Sequence, residues 1–360
     1  MQIAVRVDAS LTIGTGHVMR CLTLAHALRQ RQHDVFFICR QLPGDLTDTI
    51  QQQGFKVHIL TSQGGASDSR LPHANWLPVS QQMDAMQTVS TLEGYSHIDW
   101  LIMDHYALDQ EWQQIVKPSI NRLMVIDDLA DRAHLADILL DQNYYPDMHQ
   151  RYETLLPAHC RRLVGPQWVL LREEFIRLHS QTTPRSGELR NVLIFFGGAD
   201  NSKLVLHSLL AIESLGAGFD TSVIVHSAHP HRPAIEAIAA RHGVMQLFSR
   251  VDDMAQRMLD ADLAIGGGGT TTWERCYLGL PAIVFTLAHN QAAVNRAVAD
   301  AGACLHLGEA QAPAGDIAVA INRLSQQPAQ LRAMSQAGLD LMQNHRGTEG
   351  VVDIMEQLHD

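Results

Sequence analysis

Short apolar runs alternate with helical stretches along this chain, and the whole alternation restarts after residue 190. Ile3–Val7, Val35–Cys39, Lys56–Leu60, Trp100–Met103 and Leu123–Ile126 read as strands. Between them, His17–Arg31, Leu46–Gln53 and Gln81–Leu92 carry apolar residues at helical spacing, and residues 61–80 are polar and read as a loop. Runs that are apolar at nearly every position suit strands buried on both faces, as in a parallel sheet covered by helices. Strand–helix alternation of this kind predicts βαβ units.

Gln181–Arg190 is polar, holds Pro184 and Gly187, and has no periodicity, which marks a boundary. Beyond it, Val192–Phe196, Ser222–Val225, Met245–Phe248, Leu263–Ile265 and Ala282–Phe285 read as strands, with helices over Asn201–Leu215, Thr271–Leu278 and residues 327–360. The expected organisation is an α/β chain of two Rossmann-like domains, residues 1–180 and 188–345. A terminal helix at 346–360 is expected to pack back on the first. A length of 360 residues suits two domains.

Composition excludes several functions. The net charge of −11 argues against a general nucleic-acid or anionic-membrane binder. Five widely spaced cysteines with no C-x-x-C argue against a disulfide framework or structural zinc. No apolar run is long enough to span a membrane, and the N-terminus reads as a strand rather than a signal peptide. A cytoplasmic location is expected.

In open parallel sheets, ligands bind at the carboxyl ends of strands, so function is sought at strand-to-helix turns. Three stand out. Asp8 to His17 holds Gly14, Thr15 and Gly16, whose Gly-x-Gly lets backbone approach a ligand closely. His17 follows in the first helical turn, where the positive helix end disfavours imidazolium and leaves a ready general base. The turn is not the dinucleotide fingerprint, since Met19 stands where the third glycine belongs. The second turn is Asp104-His105-Tyr106, where Tyr106 is expected to donate to a sugar or phosphate oxygen. The third runs from Gly266 through Gly267, Gly268, Gly269, Thr270 and Thr271 to Thr272, with Glu274 one turn on. Four glycines and three hydroxyls are read as an anion cradle for a pyrophosphate, and Glu274 as an acceptor for ribose hydroxyls. Gly197 and Gly198 are expected to add further amides. No Lys-Ser/Thr follows, so this is not a Walker A loop.

The segments RVDASLTIGTGHVMRCLTLAHAL, LIMDHY, LLREEF, FFGGAD and GGGGTTTWERCYLGLPAIV, in that order over essentially the whole chain, resemble the UDP-sugar hydrolases of pseudaminic acid biosynthesis, the PseG family. More widely, the Gly-x-Gly-His turn and the Glu274-to-Pro281 stretch resemble GT-B glycosyltransferases such as MurG. The resemblance implies two Rossmann-like domains facing a central cleft. It implies hydrolysis of UDP-2,4-diacetamido-2,4,6-trideoxy-β-L-altropyranose to UDP and the free sugar, without a cofactor or metal. The family's base falls on His17 and its tyrosine on Tyr106; Asp8 joins them as a candidate catalytic residue. Gly14, Thr15, Gly16, Arg20, Asp104, Arg172, Glu173, Asn290 and Gln291 are assigned to the sugar, with no firm role for Arg172 or Glu173. The nucleotide side takes Gly197, Gly198, Gly267, Gly268, Gly269, Thr270, Thr271 and Glu274. By analogy with GT-B enzymes, Phe248 and Val251 are placed at the uracil.

The mechanism that follows has the second domain's amides stabilise charge on the departing diphosphate while His17 deprotonates an in-line water, inverting the anomeric carbon. His226, His229 and His231 lie close in sequence, but no carboxylate or cysteine completes a ligand set, so they are expected in a solvated loop. Two rivals remain open: a glycosyltransferase passing the sugar to an acceptor, and a non-catalytic nucleotide-sugar sensor.

Overall fold

The computed structural model describes residues 1–62, 70–197, 202–216 and 218–359. Its chain divides into two compact units, residues 1–143, 147–170 and 345–360, and residues 144–146 and 171–344.

The first unit is built on seven strands: β1 (Gln2–Val7), β2 (Asp34–Arg40), β3 (Lys56–Leu60), β4 (Trp100–Asp104), β5 (Arg122–Ile126), β6 (Ile138–Asp141) and β7 (Arg161–Val164). They lie in the order β3-β2-β1-β4-β5-β6-β7, every pair parallel. Alternate residues of the central strands feed two cores, one on each sheet face. Ile3, Val5 and Val7 join Leu24, Leu28 and Trp100 on one side, and Ala4 joins Leu101, Met103 and Trp112 on the other. Burial on both faces is why these strands are apolar throughout. The second unit repeats the plan with β8 (Asn191–Phe195), β9 (Asp220–Ile224), β10 (Met245–Phe248), β11 (Leu263–Gly267), β12 (Ala282–Thr286) and β13 (Cys304–Glu309), in the order β10-β9-β8-β11-β12-β13.

Strand order reverses direction between β1 and β4, and again between β8 and β11. These switch points are where the ends of adjacent strands diverge and leave room for ligands. Val7 pairs in register with Asp104, so the Asp8–His17 and Asp104–Tyr106 turns emerge side by side. Gly266 pairs with Phe195, so the glycine loop emerges beside Gly197.

Several expectations change. The strands β6, β7 and β13 are additional to those read from sequence. Loop 61–80 contains a short 3₁₀ turn, Ala74–Trp76. The predicted helix over 327–360 is two helices, Pro328–Leu341 and Gly347–His359, broken where Gly347 takes φ +57°. The units part at Leu170 and Leu171 rather than near residue 180. The last helix buries Val351, Val352 and Met355 in the first unit's core beside Trp168 and Leu170. Its exposed face holds Glu349, Asp353 and Glu356 against Arg31 of helix Gly16–Gln30.

Candidate functional site

In the first unit, His17 is the second residue of helix Gly16–Gln30 and stands over the end of β4. Its Nδ1 lies 2.6 Å from Asp104 Oδ1. Asp104 is buried, and burial raises its carboxyl pKa; the Arg20 guanidinium and His17 outweigh this and hold it well below the usual carboxylate range. An ionised carboxylate only accepts, so His17 donates from Nδ1, and the tautomer this selects for the neutral ring has its lone pair on Nε2. That second nitrogen has no hydrogen bond among the described residues. The sequence pointed to the helix end as the control on His17; the structure adds a carboxylate that fixes its tautomer, as in other carboxylate–histidine pairs.

Arg20, one turn further on, donates to both oxygens of Asp104 at 2.6 and 2.7 Å and to both oxygens of Asp128 at 2.9 Å. Arg20 and Asp104, expected at the sugar, bond to these neighbours and hold His17 in place. Tyr106 also departs from expectation. It is buried, and its hydroxyl donates to Asp128 at 2.8 Å rather than facing a ligand. Its ring meets His17 edge-on at 4.6 Å and stacks on Trp76 at 5.1 Å, while Trp76 also meets His17 edge-on at 5.6 Å. Asp8, expected among the catalytic residues, faces protein partners. It is buried, bonded to Arg6 at 2.6 and 2.9 Å, and accepts the Arg40 backbone N–H at 2.7 Å. His105 Nε2 lies 3.3 Å from its other oxygen. Gly14, with φ +81°, and Gly16 both border open space, consistent with an approachable turn. Thr15 sits between them as the helix N-cap with no side-chain cap bond.

In the second unit, β11 ends in the glycine run and helix Thr271–Tyr277 follows. Part of this run is demanded by packing. A Cβ on Gly268 would fall 2.1 Å from Asn295 Oδ1, and Gly269 needs φ +105°. Glycine content alone is therefore weaker evidence for a ligand than the sequence implied. A stronger sign is Glu274. Burial raises its carboxyl pKa, opposed by Arg172, which donates to Oε1 at 3.0 and 3.1 Å. Its other oxygen, Oε2, is buried with no hydrogen-bond partner among the described residues. A buried acceptor left unpaired is costly and calls for a donor. Arg172, expected at the sugar with no firm role, also pairs with Glu174 at 2.6 Å and so holds Glu274 in place. Glu173 is exposed, and nothing in the structure explains its assignment.

Gln291 accepts the Leu287 backbone N–H at 3.1 Å, and its Nε2 borders Gly269, whereas Asn290 is exposed. Gly197 takes φ +105° beside open space. Gly198 lies outside the described residues. Phe248 is half-buried with Arg257 over its ring at 3.8 Å, and Val251 is half-buried after it. Thr270 is exposed at the loop tip and Thr271 half-buried. His229 is buried rather than solvated, and its Nδ1 accepts the His231 backbone N–H. Sequence reasoning missed Asp128, Trp76, Asn295 and Arg275. Asp128 follows the apolar run of β5, and the strand-end rule that found Asp104 would have found it. Trp76 carries no such signal, because it reaches His17 from a loop distant in sequence.

Comparison with known proteins agrees with this architecture. Residues 193–358 match the glycosyltransferase family 28 C-terminal domain. The chain is 24% identical over 290 residues to the uncharacterized protein MJ1062 of Methanocaldococcus jannaschii, covering 79% of this chain but 55% of that protein. It spans only about half the length of that relative. It is 26% identical over 265 residues to the UDP-2,4-diacetamido-2,4,6-trideoxy-β-L-altropyranose hydrolase of Campylobacter jejuni, covering 74% of this chain and 84% of that protein. Among solved structures, MurG of Acinetobacter baumannii superposes with a TM-score of 0.66 at 15% identity, covering 99% of both chains. No helix among the described residues is long and apolar enough to cross a membrane. The chain thus has the GT-B fold, and its residues 193–358 are similar to the glycosyltransferase family 28 C-terminal domain.

Proposed function

We propose that the protein hydrolyses UDP-2,4-diacetamido-2,4,6-trideoxy-β-L-altropyranose to UDP and 2,4-diacetamido-2,4,6-trideoxy-L-altrose. This is the reaction named for the Campylobacter jejuni relative. It would place the protein in pseudaminic acid biosynthesis, in the cytoplasm. The observation that carries the reading is the Asp104–His17 pair, which leaves Nε2 free beside an open glycine turn. Nε2 takes a proton from water as its oxygen bonds to the anomeric carbon. The bond from that carbon to the β-phosphate oxygen breaks, and UDP leaves with the electron pair. Attack opposite the leaving group inverts the centre. UDP is already a good leaving group, so no protonated carboxylic acid is needed, unlike in ordinary glycosidases. The loop amides, with the hydroxyls of Thr270 and Thr271, stabilise the departing charge. Glu274 Oε2 accepts from a ribose hydroxyl, which satisfies its orphaned lone pairs.

The match to a glycosyltransferase domain supports a second reading, transfer of the sugar to an acceptor. One experiment separates the two. NMR of purified protein with the UDP-sugar in water, without acceptor, should show free sugar and UDP at enzymatic rates, the first anomer inverted. Stable UDP-sugar that turns over only when an acceptor is added would establish transfer. UDP-sugar that binds and never turns over would establish a sensor.

A further inference from the structure

Arg275 and Arg185 are the two buried arginines with no ion pair among the described residues; Arg185 donates to the backbone carbonyls of Ala261 and Met258, whereas Arg275 donates into a loop. Arg6, Arg20, Arg40 and Arg132 each face at least one carboxylate at 2.6–2.8 Å. Arg275 is only 3% exposed, yet has no ion pair among the described residues. Its chain neighbour Glu274 turns instead to Arg172. Burial pushes the Arg275 guanidinium below its ordinary value. A buried cation without an anion costs several kcal/mol, about as much as a fold can tolerate at one position. Both of its terminal nitrogens point into the glycine–threonine loop. Nη2 donates to the Gly267 carbonyl at 3.0 Å and to Thr272 Oγ1 at 3.1 Å, and Nη1 lies 3.4 Å from Thr271 Oγ1. A guanidinium only donates. Hydroxyl oxygens that accept from it keep their own protons for another acceptor, and Thr271 is half-exposed at the loop surface.

We propose that Arg275 is a positioning residue for a diphosphate: from beneath the loop it aims the threonine hydroxyl protons outward and holds a positive charge that the bound anion completes. This deepens the nucleotide reading above and rests on it. The bound diphosphate then supplies the close anion that Arg275 lacks among the described residues.

The test is calorimetric titration of UDP, uridine and inorganic pyrophosphate into the wild-type chain and into Arg275→Met, Arg275→Lys and Thr271→Val. Arg275→Met should weaken UDP and pyrophosphate roughly tenfold or more, with uridine affinity unchanged, because only the phosphates sense the charge and hydroxyl alignment. Arg275→Lys should recover part of the loss, since it restores charge without the planar fork. Thr271→Val, at a half-exposed position, should weaken UDP and pyrophosphate by a few-fold, about one hydrogen bond, with uridine unchanged, and keeps the test decisive if Arg275→Met does not fold. Equal losses for UDP and uridine, or no loss for either, would overturn the assignment of Arg275 while leaving the loop a nucleotide site. A wild-type chain that binds neither UDP nor pyrophosphate would overturn both.

Discussion

The two switch-point regions solve opposite problems. Around His17 the chain assembles charge densely and pairs nearly all of it: Asp104, Arg20, Asp128 and Tyr106 form a closed set of hydrogen bonds with one imidazole nitrogen left over. Around Gly266–Thr272 charge is sparse and left incomplete, with an orphaned Glu274 oxygen and an unpaired Arg275. A group that must move a proton gains from neighbours that fix its tautomer and orientation before substrate arrives. A binding loop gains from partners that stay unsatisfied until the ligand supplies them. On the proposed function, similar sheets support a preorganised reactive group in one unit and a waiting receptor in the other.

The sharpest way to break this contrast is His17→Asn. Turnover of the UDP-sugar should fall by ~10²–10⁴, the usual worth of a general base, while UDP affinity by calorimetry stays level. Unchanged turnover removes His17 from the chemistry. Glu274→Gln should do the reverse. UDP binding should weaken about tenfold, as for the loss of a charge-assisted hydrogen bond, with turnover at saturation largely kept. An equal loss for a UDP analogue lacking the ribose hydroxyls would assign Glu274 a purely structural role.

Acid should distinguish the units as well. Arg6 holds Asp8, and Arg20 holds Asp104, well below the usual carboxylate range despite burial. Their contribution to stability is present above the unfolded value of about 4 and is lost as pH falls through the folded values. Burial raises the Glu274 pKa, so it works in the opposite sense: protonation relieves its cost as pH drops from neutral. Asp141, pushed up to about 8 by burial and by Asp128, also works in that opposite sense: it holds its proton in the folded chain, so it offsets part of the loss until pH falls below the unfolded value of about 4. Below about pH 4, protection against hydrogen exchange should therefore fall first in residues 1–143. Earlier loss of protection in residues 171–344 would contradict this assignment. The smallest effect expected is at Tyr106. Its hydroxyl bonds Asp128, so Tyr106→Phe should cost about 1 kcal/mol of stability and at most roughly tenfold in turnover. A loss as large as that of His17→Asn would return the hydroxyl to the reaction.

The two-domain α/β plan was legible because central parallel strands are buried on both faces, and continuous apolar runs announce them. Strand β7 was not, because Arg161 and Arg162 begin it and expose the edge of the sheet. His17, Asp104 and Glu274 were legible from their places at strand and helix ends. Their pairing was not, because His17 and Asp104 lie far apart in sequence and meet only where β1 and β4 adjoin. Asp8 and Tyr106 look the same in sequence as residues that face a ligand, and burial turned both inward.

The sequence by itself determined the repeated strand–helix order and the turns where chemistry could sit, since local spacing and glycine placement are properties of neighbouring residues. The tertiary structure decided which polar groups were spent on one another and which were left over. That outcome depends on burial and on partners brought together from distant segments. It is why Arg20 became a support for His17 and Arg275 a buried cation with no ion pair among the described residues.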